Sequence, residues 1–73
     1  MNQPIADPEA IEDRISILDE IERDYHETLR AFVGHFRRNE NPPQALVDLA
    51  EELLRRINAL RVEIEKLLRR SLS

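Results

Sequence analysis

Apolar residues recur every three or four positions along two long segments of the chain, which a short polar stretch separates. In the first segment they stand at Ile11, Ile15, Leu18, Ile21, Tyr25, Leu29, Phe32 and Phe36. In the second segment they stand at Leu46, Ala50, Leu53, Ile57, Leu60, Ile64 and Leu67. Steps of three and four place side chains on one face of an α-helix, whereas a strand would show steps of two. The pattern therefore predicts two amphipathic helices.

The first helix has a clear start, and the chain has one strong helix break. Asp7 and Pro8 indicate the start, because aspartate caps a first turn well and proline fits the first helical position. The stretch between the segments reads RNENPPQ, and its Pro42 and Pro43 forbid one continuous helix. Two helices of similar length joined by so short a stretch favour an all-α, antiparallel hairpin.

These signals set the expected boundaries. We predict a flexible segment at residues 1–7, helix one at about 8–38, a turn at about 39–42, helix two at about 43–70 and a flexible end at 71–73. Asn41 and Gln44 have the spacing of a capping box for the second helix. Gly34 leaves one alternative, an early end of the first helix, because an interior glycine costs about 1 kcal/mol against alanine.

The second helix is apolar over more than one face, because Val47, Leu49, Leu54 and Leu68 stand beside its main row. A stripe that wide contacts two neighbours instead of one. We therefore expect two hairpins to form a two-fold symmetric four-helix bundle. The alternatives are a different protein on the same face, a higher oligomer and a parallel coiled coil of the second helix. The relative orientation of the two hairpins stays open.

The predicted interface comprises apolar residues of both helices. They are Leu18, Ile21, Tyr25 and Phe32 in the first helix and Leu46, Val47, Leu49, Leu53, Leu54, Ile57, Leu60, Ile64, Leu67 and Leu68 in the second. Glu22 occupies a position where an apolar residue is expected. It lies either at the edge, with Ile21 turned inward, or in a polar contact with Arg61 or Asn58 that fixes the register of the hairpin.

Charge is divided unevenly along the 73 residues, whose net charge is −4. Residues 7–27 hold nine acidic and two basic residues, and residues 28–73 hold six acidic and nine basic residues. An antiparallel hairpin places the acidic half of helix one beside the basic residues of helix two, so we expect the division to be an internal match. The chain has no cysteine, which excludes disulfides and thiolate metal sites.

The sequence holds no catalytic or metal-binding signature. His26 lies four residues after Glu22, but neither His26 nor His35 completes the Glu-x-x-His spacing of di-iron bundles. The serine and threonine residues lack a histidine placed to activate them. We therefore expect a protein that is not an enzyme and that needs no cofactor and no metal.

Three arginine pairs, Arg37-Arg38, Arg55-Arg56 and Arg69-Arg70, raise the question of nucleic acid binding. The architecture is similar to small helical-hairpin dimers that bind RNA, although no sequence motif carries that likeness. Their spread along an acidic chain argues against such binding, so a nucleic-acid-binding dimer is only the second alternative.

The function that the pattern favours is a non-enzymatic protein–protein interaction module, a small adaptor, regulator or inhibitor that acts as a homodimer. The first alternative is a hairpin that folds on a dissimilar protein partner, as secretion chaperones and antitoxins do. The N-terminal residues lack the pattern of a secretory signal and no segment has the length and hydropathy of a membrane span. We therefore expect a cytoplasmic protein with no membrane contact.

Overall fold

The computed structural model describes residues 7–72, which form two α-helices packed against each other as an antiparallel hairpin. α1 spans Pro8–Arg37 and α2 spans Gln44–Leu72. The predicted all-α hairpin is confirmed. Of the expected flexible ends at residues 1–7 and 71–73, only residues 1–6 and 73 lie outside the described residues; residue 7 caps α1, and residues 71 and 72 are helical. Neither helix, within that described part, combines the length and the apolar run that crossing a membrane requires.

α1 begins at the predicted signals and continues through its glycine. The Asp7 carboxylate accepts a hydrogen bond from the backbone N–H of Glu9 at 3.0 Å, and Pro8 occupies the first turn. Gly34 is helical, so the early end that it permitted does not occur. Local capping and a long apolar row together outweigh the small cost of one interior glycine.

α1 ends in a Schellman motif built on an asparagine. The N–H of Asn39 donates to the carbonyl of Phe36 at 3.0 Å, and the N–H of Glu40 donates to the carbonyl of His35 at 2.9 Å. These two bonds satisfy carbonyls that the helix end would leave unpaired. Asn39 has a φ of 54°, in the left-handed region that asparagine tolerates better than other non-glycine residues.

Pro42 and Pro43 both precede α2, which begins at Gln44, one residue later than the predicted start at about residue 43. The N–H groups of Leu46 and Val47 donate to the carbonyl of Pro43 at 3.0 and 3.3 Å, so Pro43 supplies the first helical acceptor. Gln44 is consequently the first helical residue, too early in the helix to act as the predicted capping-box partner of Asn41. Its side chain donates to Asp48 at 2.9 Å.

α2 extends two residues past its predicted end at residue 70. Ser71 lies within the helix, and its hydroxyl donates to the carbonyl of Leu67 at 3.1 Å. This back-bond satisfies the hydroxyl inside the last turn, where a serine would otherwise compete with the helix for hydrogen bonds.

The contact between the helices follows strictly alternating steps of three and four residues. We call these residues the seam, and all are buried or half-buried: Ile11, Arg14, Leu18, Ile21, Tyr25, Thr28, Phe32 and His35 in α1, and Leu46, Ala50, Leu53, Ile57, Leu60, Ile64, Leu67 and Ser71 in α2. This spacing is that of two helices coiled around each other. Leu53 and Ile57 are the only buried hydrophobic residues in the described part of the chain.

Three residues of the predicted row in α1 lie outside the seam. Ile15, Leu29 and Phe36 are exposed, and Phe36 is 60% accessible to solvent. Their neighbours Arg14, Thr28 and His35 take the seam positions, because only those positions continue the alternating spacing set by Leu18, Ile21, Tyr25 and Phe32. The prediction of the row was wrong at these three positions.

The polar seam residues have hydrogen-bond partners. Thr28 is only 6% exposed, and its hydroxyl donates to the carbonyl of Asp24 at 2.8 Å, so its methyl group packs without an unpaired hydroxyl. Arg14 reaches out of the seam to Glu63, with 2.6 Å between its Nε and the carboxylate. Polar residues at these positions therefore lower the free energy of unfolding only modestly.

The first prediction concerns Gly34. A Cβ built there meets only the Arg38 guanidinium, at 3.6 Å, which is ordinary contact. Gly34→Ala should therefore raise the free energy of unfolding by about 0.5–1 kcal/mol, because alanine loses less backbone entropy in a helix. Urea denaturation at one fixed protein concentration measures the change. A destabilised variant would show that α1 is not a regular helix at this position.

The second prediction concerns Asn39. Asn39→Gly should stabilise the hairpin and Asn39→Ala should destabilise it, each by about 0.5–1 kcal/mol, because alanine is strained at positive φ and glycine is not. The two variants act as controls for each other in the same denaturation experiment. Equal stability of the two would mean that α1 does not end in a left-handed residue.

Candidate interaction face

An ion pair across the hairpin identifies which flanks of the two helices are neighbours. Arg61 Nη2 donates to Glu22 Oε2 at 2.9 Å. Each of these residues follows a seam residue by one position, Ile21 in α1 and Leu60 in α2. Because both helices repeat every seven residues, this contact aligns one whole row of α1 with one whole row of α2.

We call these two rows the apolar face. It consists of Ile15, Glu22, Leu29 and Phe36 in α1 and Val47, Leu54, Arg61 and Leu68 in α2. Six of the eight are apolar, and the remaining two are the ion pair. The rows form four layers, spaced by about 10.5 Å for seven helical residues. We call the end of the hairpin opposite the turn the open end. From the open end towards the turn, the layers are Ile15–Leu68, Glu22–Arg61, Leu29–Leu54 and Phe36–Val47.

The apolar face holds much of the exposed apolar surface of the described chain. Ten large hydrophobic residues are exposed, and five of them belong to this face: Ile15, Leu29, Phe36, Leu54 and Leu68. Exposed Val33 lies one turn from both Leu29 and Phe36 and extends the surface. A two-stranded coiled coil that does not associate further usually carries charged residues at the positions that flank its seam. A contiguous apolar patch is typical of a surface that another molecule covers.

The opposite face of the hairpin is more polar. Its rows are Ala10, Ile17, Asp24 and Ala31 in α1 and Leu49, Arg56, Glu63 and Arg70 in α2. A shallow groove of about 360 Å³ on this side is lined by Asp24, Glu27, Thr28, Ala31, Leu46, Leu49 and Leu53. Exposed Ile17 and Leu49 stand singly among charged or small residues, so this face offers no continuous apolar surface.

The residues predicted as one interface fall into three groups. The seam contains Leu18, Ile21, Tyr25, Phe32, Leu46, Leu53, Ile57, Leu60, Ile64 and Leu67; the apolar face contains Val47, Leu54 and Leu68; and the opposite face contains Leu49. One flat partner surface cannot cover Leu49 and Leu54 together. The sequence analysis did not assign Ile15, Leu29 and Phe36 to the apolar face. Their seven-residue spacing, which Glu22 shares, is the signal that identifies this row.

One of the two histidines, His35, takes part in a cluster of polar contacts at the end of α1. His35 Nδ1 lies 3.3 Å from Glu40 Oε2, and Arg38 Nε donates to the other oxygen of the same carboxylate at 3.2 Å. The Arg38 hydrogen bond, and then that of His35, lowers the pKa of Glu40 below its usual value. This cluster ties the end of α1 to the turn. Residues 7–72 contain no group of three or more metal-ligating side chains.

Several arginines of the three pairs contact carboxylates. Arg55 and Arg56 both contact Glu52, at 2.6 and 3.2 Å, and Arg69 contacts Glu65 at 2.5 Å. Each carboxylate offsets part of the positive potential that a phosphate backbone would meet. Among residues 7–72, these contacts give no support to the nucleic acid alternative.

Comparison with protein-family models, with curated proteins and with solved structures finds no match to this chain. No relative therefore suggests an activity or a partner. The hairpin offers two faces to a partner, and the apolar face is the more distinctive of the two.

Proposed function

We propose that the chain is a non-enzymatic protein–protein interaction module that acts as a homodimer, in which two hairpins pack through their apolar faces into a four-helix bundle. The observation that carries this proposal is the apolar face, which leaves five large hydrophobic residues exposed in aligned rows. Covering a half-exposed side chain of this size contributes about 1 kcal/mol. Both subunits gain this burial when the faces meet.

The thin seam supports the same proposal. Leu53 and Ile57 are the only hydrophobic residues that the described chain buries. A single core of this size rarely stabilises so small a domain, and small domains without disulfides or metals often depend on oligomerisation. A second layer of helices on the apolar face would cover one edge of the seam and remove that edge from water.

A second copy fits the apolar face because three of the four residues in each of its rows are apolar. Rotation by two-fold symmetry places apolar residues of one hairpin against apolar residues of the other, and closed two-fold dimers are the commonest oligomers. A role as adaptor, regulator or inhibitor of another protein is the corresponding functional class. That role and a cytoplasmic location stay predictions.

The third prediction tests the dimer with Leu54→Asp, a change in the centre of the apolar face. In a homodimer the new carboxylates are buried without partners, which weakens the assembly by several kcal/mol. Wild type should sediment as a dimer and melt at a temperature that rises with protein concentration over a hundredfold range. Leu54→Asp should sediment as a monomer over the same range.

Val62→Asp is the matched control, because Val62 is 51% exposed and lies on neither face. It introduces the same charge near the middle of the same helix and should leave the dimer intact. A wild type that is monomeric, melts independently of concentration and is as stable as Leu54→Asp would refute the homodimer. The apolar face would then belong to a dissimilar protein partner.

A further inference from the structure

This inference rests on the proposed homodimer and concerns how the two copies are oriented. Two-fold symmetry permits two arrangements of hairpins that meet through the apolar face. In the same-end arrangement the axis runs parallel to the helices, both turns lie at one end, and each α1 faces α2 of the other copy. In the opposite-end arrangement the axis crosses the helices, the turns lie at opposite ends, and each α1 faces α1 of the other copy.

The Glu22–Arg61 ion pair distinguishes the two arrangements by its charges. In the same-end dimer, Glu22 of one copy faces Arg61 of the partner subunit, and Arg61 faces Glu22 of the partner subunit. The four charges then alternate in sign around the axis. In an opposite-end dimer centred on this layer, the two glutamates face each other and so do the two arginines. Like charges that face each other in a desolvated interface are strongly unfavourable.

The order of the four layers leads to the same conclusion. The charged layer is second from the open end, so the apolar face is not symmetric end to end. In the same-end dimer every layer meets its own counterpart, and the three apolar layers are all covered. In a fully overlapped opposite-end dimer, the charged layer of each copy lies against the Leu29–Leu54 layer of the other. Each ion pair is then desolvated by leucines and gains no new partner.

Sliding the opposite-end dimer to avoid that contact uncovers another layer. If the two charged layers are superposed, the Ile15–Leu68 layer meets the Leu29–Leu54 layer, and the Phe36–Val47 layer projects past the partner. Phe36 is 60% exposed in the hairpin and would stay in water. Only the same-end dimer covers all apolar layers and joins opposite charges.

We propose that the apolar face binds a second copy of this chain with both turns at the same end, and that Glu22 and Arg61 of the two copies form an alternating network of four charges that sets this orientation. Buried polar groups of this kind are best known for selecting one register among several apolar alternatives. The ion pair thus has a specific role in assembly, beyond its contact within one hairpin.

The fourth prediction tests the orientation by measuring the distance between the turns. The chain has no cysteine, so Asn41→Cys provides a single site in the turn for a nitroxide spin label. Pulsed dipolar spectroscopy on the full chain should give one distance below about 30 Å, because adjacent helices in a bundle lie roughly 10 Å apart. Opposite-end dimers place the turns about 45 Å or more apart, from the rise of 1.5 Å per residue.

The outcomes separate this inference from the proposed function. A dimer by sedimentation with only the long distance overturns the same-end orientation and leaves the homodimer standing. A monomer by sedimentation with no dipolar coupling overturns both. A label at Glu9→Cys, near the open end, should also give one short distance in the same-end dimer, which guards against a local effect of the turn mutation.

The role of the charge network is tested by two double variants that carry the Asn41→Cys label. Glu22→Leu with Arg61→Leu makes all four layers apolar, so the dimer should persist but show both the short and the long distance. Glu22→Arg with Arg61→Glu keeps the alternation of charge and should show only the short distance. Circular dichroism checks that both variants remain helical. A single short distance from the leucine variant would overturn the role assigned to the network.

Discussion

The structure depends on the alternating spacing of the seam, because two helices share only one line of contact. A pair of helices buries residues along that line and leaves the flanks half in water. Within residues 7–72 the line buries only Leu53 and Ile57 among its hydrophobic residues, together with Thr28. The spacing also determines which residues lie on each flank. The seam and the apolar face are therefore two consequences of one register.

The helices and the turn were predictable because their signals are local. Asp7 with Pro8 defines a start through neighbouring atoms alone, and Pro42 with Pro43 prevents a continuous helix whatever surrounds them. The left-handed Asn39 was not predicted, because the choice of the residue that ends a helix depends on which carbonyls the turn has to satisfy. Prolines likewise exclude a continuous helix without fixing the first residue of the next one.

The row of α1 was harder to predict because adjacent helical positions differ by only about 100°. Hydrophobicity alone selects Ile15, Leu29 and Phe36, yet pairing with α2 selects Arg14, Thr28 and His35. Packing against a partner helix commonly overrides a preference read from one segment. For the same reason the sequence analysis identified the apolar-face residues Val47, Leu54 and Leu68 of α2 but not those of α1. The sequence allowed two interpretations of Glu22, an edge position with Ile21 turned inward or a contact with Arg61 or Asn58, and the structure combines Ile21 in the seam with a contact to Arg61.

The register links the stability of the hairpin to its surface. Each of Arg14, Thr28 and His35 occupies a seam position beside an apolar residue that lies outside the seam, so the hairpin buries less than its composition allows. The apolar residues that lie beside the seam, Ile15, Leu29 and Phe36, form the α1 half of the apolar face. A chain built in this way has a small buried core and an apolar flank. Folding of the hairpin and covering of that flank are consequently expected to stabilise each other.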